Sequence, residues 1–544
     1  MFRKNNSHYQ QELFSHHYEM NPNIAKLLEN TWAPVFYREV FCKINEELFA
    51  PLYCKDNGRP NFPVNILLSL EIIKHLNNYT DKQLLEQFYF NYQVLYALGI
   101  HNIGQVYFAE RTMYEFRERV FNYLNEHPQE EDVLFQQFET LVKNFIAVLG
   151  LNTDELRTDS TLVSSYIKKA GRLSLAYDVL VQAIKALPSE LLSDQLKEAL
   201  DKKFKTALLY HSRNRSLEGR FQKVADLMAE VLKIVENYPH LASSRPIKIL
   251  QRFLKEQTVY DETRKRFIPK ESSEISSSSL QSAYDTDAAF REKGGQKHTG
   301  YTLTVTETCS SQNEVQLITD FVLEPSNKGD APILQERMET IKKNTEAKHI
   351  YADGGYYSPA VIEKAESLEI QMHYTDMTGR KSPAVKMPLT SFDINEHLEI
   401  ISCPNGKKPL SSKYSPKNKQ SISHFSKEDC LNCPLRAECP VKERKKFMVL
   451  TMAKRSLMAD IYRQEIKDKT INYQNTSKRA GVEGTNSSLK RSQGMTKLRV
   501  RGLIKCAMQC TFKIIGHNFK QLCRGLKKLS LAPPNKGGVC PNPA

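Results

Sequence analysis

Residues 348–359 read KHIYADGGYYSP. A short apolar run ends in Asp353, Gly354-Gly355 makes a turn, and Ser358-Pro359 offers a helix N-cap followed by a first-position proline. Strand, carboxylate-bearing turn and helix form the repeating unit of an open α/β sheet, which gathers ligands at the carboxyl ends of its strands. Outward from this unit, residues 331–344 predict a helix. YTLTVTET (301–308) and EVQLITDFVLEP (314–325) alternate as an antiparallel pair across the turn-like CSSQN. Earlier still, ELRTDSTLVSS (155–165) predicts a strand carrying Asp159, and after the opening unit QMHYTDM (371–377) predicts one more. The expected fold class is therefore α/β, with a sheet interrupted by additions.

The additions are large. Residues 1–150 predict an all-helical N-terminal domain, in which Ile66, Leu70 and Ile73 recur at helical spacing. Within FAERTMYEFRERVFNYL (108–124), Thr112 and Glu115 have capping-box spacing, and Glu115 and Arg119 stand at i, i+4. Residues 151–525 are expected to form the catalytic domain. It carries a helical insert over about 175–270, marked by LSDQLKEALDKKFKTALLYH (192–211) and FQKVADLMAEVLKIVENY (221–238). ESSEISSSSLQS (271–282) reads as a linker or flexible loop. A polar, Cys-containing insert occupies about 400–446, helices return through LRVRGLIKCAMQCTFKIIGHNF (498–519), and 526–544 reads as a flexible tail.

Across 544 residues, 77 Lys and Arg outnumber 62 Asp and Glu, and the formal charge of +15 is spread over the chain. A polyanionic partner is the simplest reading of such a balance. The N-terminus lacks the apolar core of a secretory signal, and no run approaches the eighteen apolar residues of a membrane span, so the expected setting is intracellular, with no membrane partner. Eleven cysteines are too thinly scattered for a disulfide framework.

Asp159 lies in a strand among Thr158, Ser160 and Thr161, an odd position for a carboxylate unless a cation uses its charge. A third acid, Glu483, lies in TSKRAGVEGTNSSLKRSQG (476–494). If that stretch is helical, Arg479, Glu483, Asn486 or Ser487, and Lys490 line one face, an acid among cations suited to a metal and to phosphate oxygens. Gly481 and Gly484 weaken the helix by about 1 kcal/mol each. Taken singly, an Asp before Gly-Gly is commonly a turn residue, and an Arg–Glu pair at i, i+4 is commonly surface decoration.

In this order the segments resemble the DDE transposases of bacterial insertion sequences. LRTDSTLV around Asp159, IYADGGYYSP around Asp353, and Arg479-x3-Glu483-x6-Lys490 carry the resemblance; the last is similar to a Tyr-x2-Arg-x3-Glu-x6-Lys signature, with Thr476 in place of the tyrosine. AYDTDAAFREKGGQKHTGYTL (283–303) and GRPNFPVNILLSLEIIKHLNN (58–78) add to it, so that it covers about residues 40–520. The resemblance implies an RNase H-like catalytic core in which Asp159, Asp353 and Glu483 hold Mg²⁺ or Mn²⁺. It also implies cleavage at the ends of a mobile element followed by strand transfer, with the double-stranded DNA of terminal inverted repeats and target as partner. Arg479, Lys490, Asn486 and Arg491 would meet DNA, a homodimer would pair two ends, and the setting would be the bacterial cytoplasm, at the nucleoid.

The basic stretches DETRKRFIPK (261–270), ERKK (443–446) and KLRVRG (497–502) are candidate backbone-phosphate contacts. Cys403, Cys430, Cys433 and Cys439, the last three spaced Cys-x2-Cys-x5-Cys, are expected either to hold a structural Zn²⁺ or to remain free thiols. Cys506 and Cys510, at i and i+4, read as core. Besides an active transposase, the same residues suit a catalytically silent DNA-binding descendant or a nuclease without strand transfer.

Overall fold

The computed structural model describes residues 1–9, 16–168, 170–210, 217–293, 295–375 and 387–531. It is a mixed α/β molecule with a helical N-terminal region. Three helices of that region matter below: α1 (Val64–Asn77), α2 (Glu110–Glu126) and α3 (Val133–Leu149). The sheet begins with β1 (Glu155–Val163) and continues, after an insert, with β2 (Ala289–Lys293), β3 (Gln296–Thr308), β4 (Ile318–Pro325), β5 (His349–Ala352) and β6 (Gln371–Tyr374). β3 pairs antiparallel with β1, β2 and β4; on the other side of β1, β5 and then β6 run parallel to it. Helix α4 (Asp330–Asn344) links β4 to β5, and α5 (Pro359–Ser367) links β5 to β6, its cap Ser358 accepting the Val361 N–H.

From Tyr301 to Thr308 every β3 residue is buried, so this strand is covered on both faces. The long last helix, α7 (Leu503–Leu531), lies across α1, α3 and β4. Its Asn518, fully buried, accepts the Ile318 N–H and donates to the Ile318 carbonyl, satisfying the backbone where the β3–β4 register shifts. Gly516 lets α1 approach, since a Cβ there would stand 3.2 Å from the Leu76 Cα. Cys506 and Cys510 are fully buried in this helix, as core residues should be. One continuous apolar core runs from Ala33 through the helices and β3 to Leu522, so residues 1–150 share their core with the sheet and α7.

Between β1 and β2 the insert has a core of its own, built from amphipathic helices including Arg172–Lys185, Leu217–Asn237 and Arg245–Gln257, and ends in a hairpin of Thr258–Asp261 with Arg266–Pro269. Arg172 closes it by donating to the carbonyls of Gln257 and Lys270. Another core belongs to a four-stranded sheet of Ser411–Ser415, Gln420–Phe425, Lys442–Glu443 and Met448–Ala453, which houses the Cys-containing unit.

Several local expectations differ from the structure. Residues 271–282 form a loop whose end is packed: Leu280 is fully buried and its N–H donates to Glu256, while Arg252 donates to the Ser278 and Thr286 carbonyls. Helix α2 starts at Glu110, which puts Thr112 inside it rather than at its cap, and Glu115 pairs with Arg111 rather than Arg119, whose guanidinium lies over the Tyr53 ring. Helical backbone continues to Leu531, into the stretch expected to be a tail; residues 532–544 and the end of the 371–377 strand lie outside the described residues.

Under α7 sits a buried charge network. Arg117 pairs with Glu71 at 2.6 Å and with Asp81 at 2.5 Å, and Lys74 reaches Asp81 at 2.7 Å. Burial opposes the Glu71 charge, but Arg117, His75 and Lys74 outweigh it and hold the carboxyl at about 2. Burial lowers His75 to about 4 against the pull of Glu71, and lowers His373 and His517 to about 4 as well. Between the ordinary 6.5 and about 4, the unfolded chain binds protons that these folded imidazoles refuse, so stability falls as pH falls through that window. Melting followed by circular dichroism should show Tm dropping from about pH 7 to about pH 4.5, with a shallower drop for His75→Gln; a Tm flat across the window would show that these imidazoles protonate in place.

Candidate active site

Pairing between β1 and β5 sets Arg157 beside Tyr351 in parallel register. Two residues further along each chain come Asp159, still within β1, and Asp353, in the turn just past β5, so the register leads both acids toward the carboxyl edge of these strands. Asp353 caps the turn after β5 by accepting the Gly355 N–H at 2.7 Å. Tyr356, fully buried, feels the charge of both acids. Its phenol is pushed well above its ordinary value by burial and then by the charges of Asp330, Asp159 and Asp353.

Glu483 lies on α6 (Lys469–Arg491), one helix running unbroken through Gly481 and Gly484. Gly481 leaves a space that no other residue could leave, since a Cβ there would fall 2.0 Å from Arg157 Nη1. Arg157 rises from β1 into that gap, donates to the Lys478 carbonyl at 3.0 Å and pairs with Glu307 of β3 at 2.7 Å, and Glu307 in turn accepts the Thr485 hydroxyl at 2.7 Å. Burial raises the Glu307 carboxyl, and Arg157 and Thr485 oppose that rise. Two turns of α6 are thereby fastened over the face bearing Asp159.

Of the α6 residues singled out in the sequence, Asn486 is buried and donates to Asp159 Oδ2 at 3.1 Å. Glu483, one turn earlier, gives its 63% exposed carboxylate to Arg479 at 3.0 Å. Lys490 is half-buried and Arg491 exposed at the far end of the helix. Three carboxylates are hard oxygen donors of the kind Mg²⁺ takes, so the donor set fits the ion in chemistry. Their placement is open: among the described residues, no group of three or more His, Cys, Asp or Glu side chains stands close enough together to hold a metal ion.

Sequence reasoning passed over Asp330, Arg291 and Lys478. Asp330 is buried at the start of α4 and pairs with Arg291 of β2 at 3.0 Å, and its carboxylate would lie 3.7 Å from a Cβ on Gly355. Lys478 pairs with Glu155 and donates to the Tyr351 hydroxyl at 3.2 Å. An Asp after Gly329 resembles any helix start, and only the folded sheet brings it beside the Asp353 turn.

The four cysteines surround one cavity of about 20 Å³, together with Phe425 and Val441. That is room for about one water-sized sphere. The gap between Cys403 and Cys430 is taken up by the Ser411–Phe425 hairpin, which returns the chain to its starting point. All four are thiols; burial, with the neighbouring sulfurs, raises Cys430 to about 11, and burial raises Cys439.

Two family models match the chain: a transposase domain (DUF772) over residues 27–119, and a transposase DDE domain over residues 402–523. The two matches support an insertion-sequence DDE transposase. The second match takes in α6 with Glu483, whereas the strands carrying Asp159 and Asp353 lie between the two matches. No curated protein and no solved structure matches the chain. No described helix is long and apolar enough to cross a membrane.

The two α6 glycines should respond oppositely to alanine. Gly484→Ala meets nothing within 4 Å and gains helix propensity of about 1 kcal/mol, whereas Gly481→Ala must expel Arg157 and should lose more than that gain. Urea denaturation of the two variants measures both signs; equal stabilisation would show that α6 does not depend on the Arg157 insertion.

Proposed function

We propose that this transposase binds the ends of a mobile element and catalyses metal-dependent cleavage and strand transfer through an RNase H-like core. The reading is supported by the parallel pairing of Arg157 with Tyr351, which leads two residues on to Asp159 and Asp353, and by the packing of the Glu483-bearing helix on β1 through Arg157 and Asn486. Strand order supports it: three antiparallel strands, β4, β3 and β1, followed by β5 and β6 parallel to β1. Water would attack phosphorus at the element end, breaking the bond to the 3′ oxygen and leaving a 3′-hydroxyl. That hydroxyl would then attack a target phosphate, exchanging one phosphodiester for another.

Asp159, Asp353 and Glu483 would hold Mg²⁺ or Mn²⁺, which supplies Lewis-acid activation of the attacking and leaving oxygens. The protein's own groups prepare the site. Asn486 orients Asp159, the Gly355 N–H fixes Asp353, and Arg479 holds Glu483 and neutralises charge beside it. Lys490 and Arg491 extend a cationic helix end toward phosphate oxygens. The DNA partner is double-stranded, with two copies of the chain pairing two ends at the nucleoid.

The test is Mn²⁺- and Mg²⁺-dependent cleavage of labelled DNA carrying the ends that flank the gene. Asp353→Asn and Asp159→Asn should each lower cleavage by at least about a thousandfold while leaving DNA binding intact. Binding without cleavage in the unmodified protein would favour a silent DNA-binding descendant, and cleavage without joined products would favour a nuclease.

For the Cys unit we propose a structural Zn²⁺ on Cys403, Cys430, Cys433 and Cys439, supported by their lining one small cavity, with the four thiols drawing closer together than they stand here to bind it. Elemental analysis should find about one zinc per chain, lost in Cys433→Ser, with a lower Tm after chelation. Zinc-free protein of unchanged Tm would overturn it.

A further inference from the structure

The charge network under α7 forms part of the wall of a cavity of about 940 Å³. α1 and α2 bound it on one side, and the segment 494–500 with the first turns of α7 bounds it on the other, so it lies in the joint between the N-terminal region and the last helix. Cations outnumber acids along its lining. Two of the acids are engaged, since Arg117 pairs with both Glu71 and Asp81 and Lys74 also reaches Asp81; the third, Glu118, is exposed. Against that one carboxylate stand Lys497, Arg499, Lys505 and Lys513, none of which forms an ion pair among the described residues. Lys513 is 6% exposed, and its ammonium donates to two neutral acceptors, the Asn78 side-chain oxygen and the Gln493 carbonyl. Burial lowers that ammonium to about 8; Cys510 opposes the fall, and the charges of Arg499 and Lys74 add to it. A buried cation without a carboxylate is costly, and an anion in the cavity relieves that cost. Phe121, Met508 and Phe512 supply an apolar part of the same wall, with the Lys505 ammonium 4.5 Å from the Phe121 ring centroid.

Inorganic phosphate would satisfy the cations and leave the apolar wall wet; an uncharged apolar ligand would do the reverse. A molecule with a flat ring at one end and several phosphate charges at the other answers both, and the volume lies within the range of about 300–1,000 Å³ usual for small-molecule sites. Duplex DNA, whose major groove alone is about 12 Å wide, is too large to enter such a space. We propose that this cavity binds a free nucleoside polyphosphate, with Lys513, Arg499 and Lys505 meeting the phosphates and Phe121, Met508 and Phe512 the ring. The stretch 497–502, read from the sequence as a contact for backbone phosphates, thus turns one of its cations to a different anion. The inference does not depend on the DNA-cleaving reading. It also gives the joint a second hold: a ligand that touches α2 through Phe121 and α7 through Lys505 and Lys513 binds only when the two are docked, and so stabilises the docked state by mass action.

The experiment uses the full chain with ATP as probe, in EDTA so that no divalent ion bridges the nucleotide to the active-site carboxylates. Calorimetry reads affinity and circular dichroism reads Tm. Two double variants of exposed cations are compared, Arg499→Ala/Lys505→Ala in the cavity and Arg524→Ala/Lys527→Ala further along α7; inorganic triphosphate and a short DNA duplex serve as competitors. ATP should saturate a single site, raise Tm by about 2 °C or more, and bind about tenfold or more weakly to the first variant while the second keeps the affinity of the unmodified protein. Triphosphate should bind at least about tenfold more weakly than ATP, for want of a ring to cover the apolar wall. Absence of saturable binding would overturn the site, and so would an equal loss in both variants, which marks general attraction to a basic surface. Triphosphate binding as tightly as ATP would overturn the nucleotide assignment. A duplex that displaces ATP, with its own binding lost in the first variant, would give the cavity to DNA and overturn the proposal.

Discussion

Everything at the centre of the molecule depends on how α6 is held against the sheet. Arg157 is a charged residue on a central strand, and its guanidinium is largely shielded from water, so it draws on a carboxylate and a carbonyl within reach. Glu307 on the adjacent strand and the Lys478 carbonyl on the helix supply them, and the absent side chain of Gly481 supplies the space. That one arrangement fixes the height and rotation of α6, and from it follow the reach of Asn486 to Asp159 and the position of Glu483 and Arg479 at the rim. A hydrophobic contact would hold the helix with less geometric definition, because burial of apolar area has no direction.

The second constraint is the sharing of one core by elements remote in sequence. α7 rests on α1 through Gly516 and clasps β4 through Asn518, so the helical N-terminal region is joined to the sheet by the last helix of the chain. The insert and the Cys unit, with separate cores, can keep their own internal order without disturbing that arrangement.

What was legible in the sequence was what local chemistry dictates. The strand, turn and capped helix around Asp353 could be read from apolar content, Gly-Gly and Ser-Pro, and the β3–β4 pair from alternation. Cys506 and Cys510 were readable as core from their helical spacing. What escaped depends on partners far along the chain. Gly481 counted against a helix by propensity alone, because the guanidinium that occupies its empty face comes from a residue more than three hundred positions earlier. The serine-rich run at 271–282 has the composition of a linker, yet Glu256 and Arg252 satisfy its backbone and Leu280 anchors it. Asp330 carried no local signal at all, and its place beside the Asp353 turn is a product of the sheet.

The shared core also bears on how such a protein comes into being. Phe36 packs edge-on against Phe519 with ring centres 5.2 Å apart, and Trp32 reaches the same ring. A ribosome making this chain delivers Trp32 and Phe36 hundreds of residues before their packing partner Phe519, so the N-terminal helices wait through that stretch of synthesis with apolar faces uncovered. The chain cannot complete its site piecemeal as it emerges: the strut that joins N-terminal helices to sheet is made hundreds of residues after those helices, and a product released before α7 lacks that joint altogether.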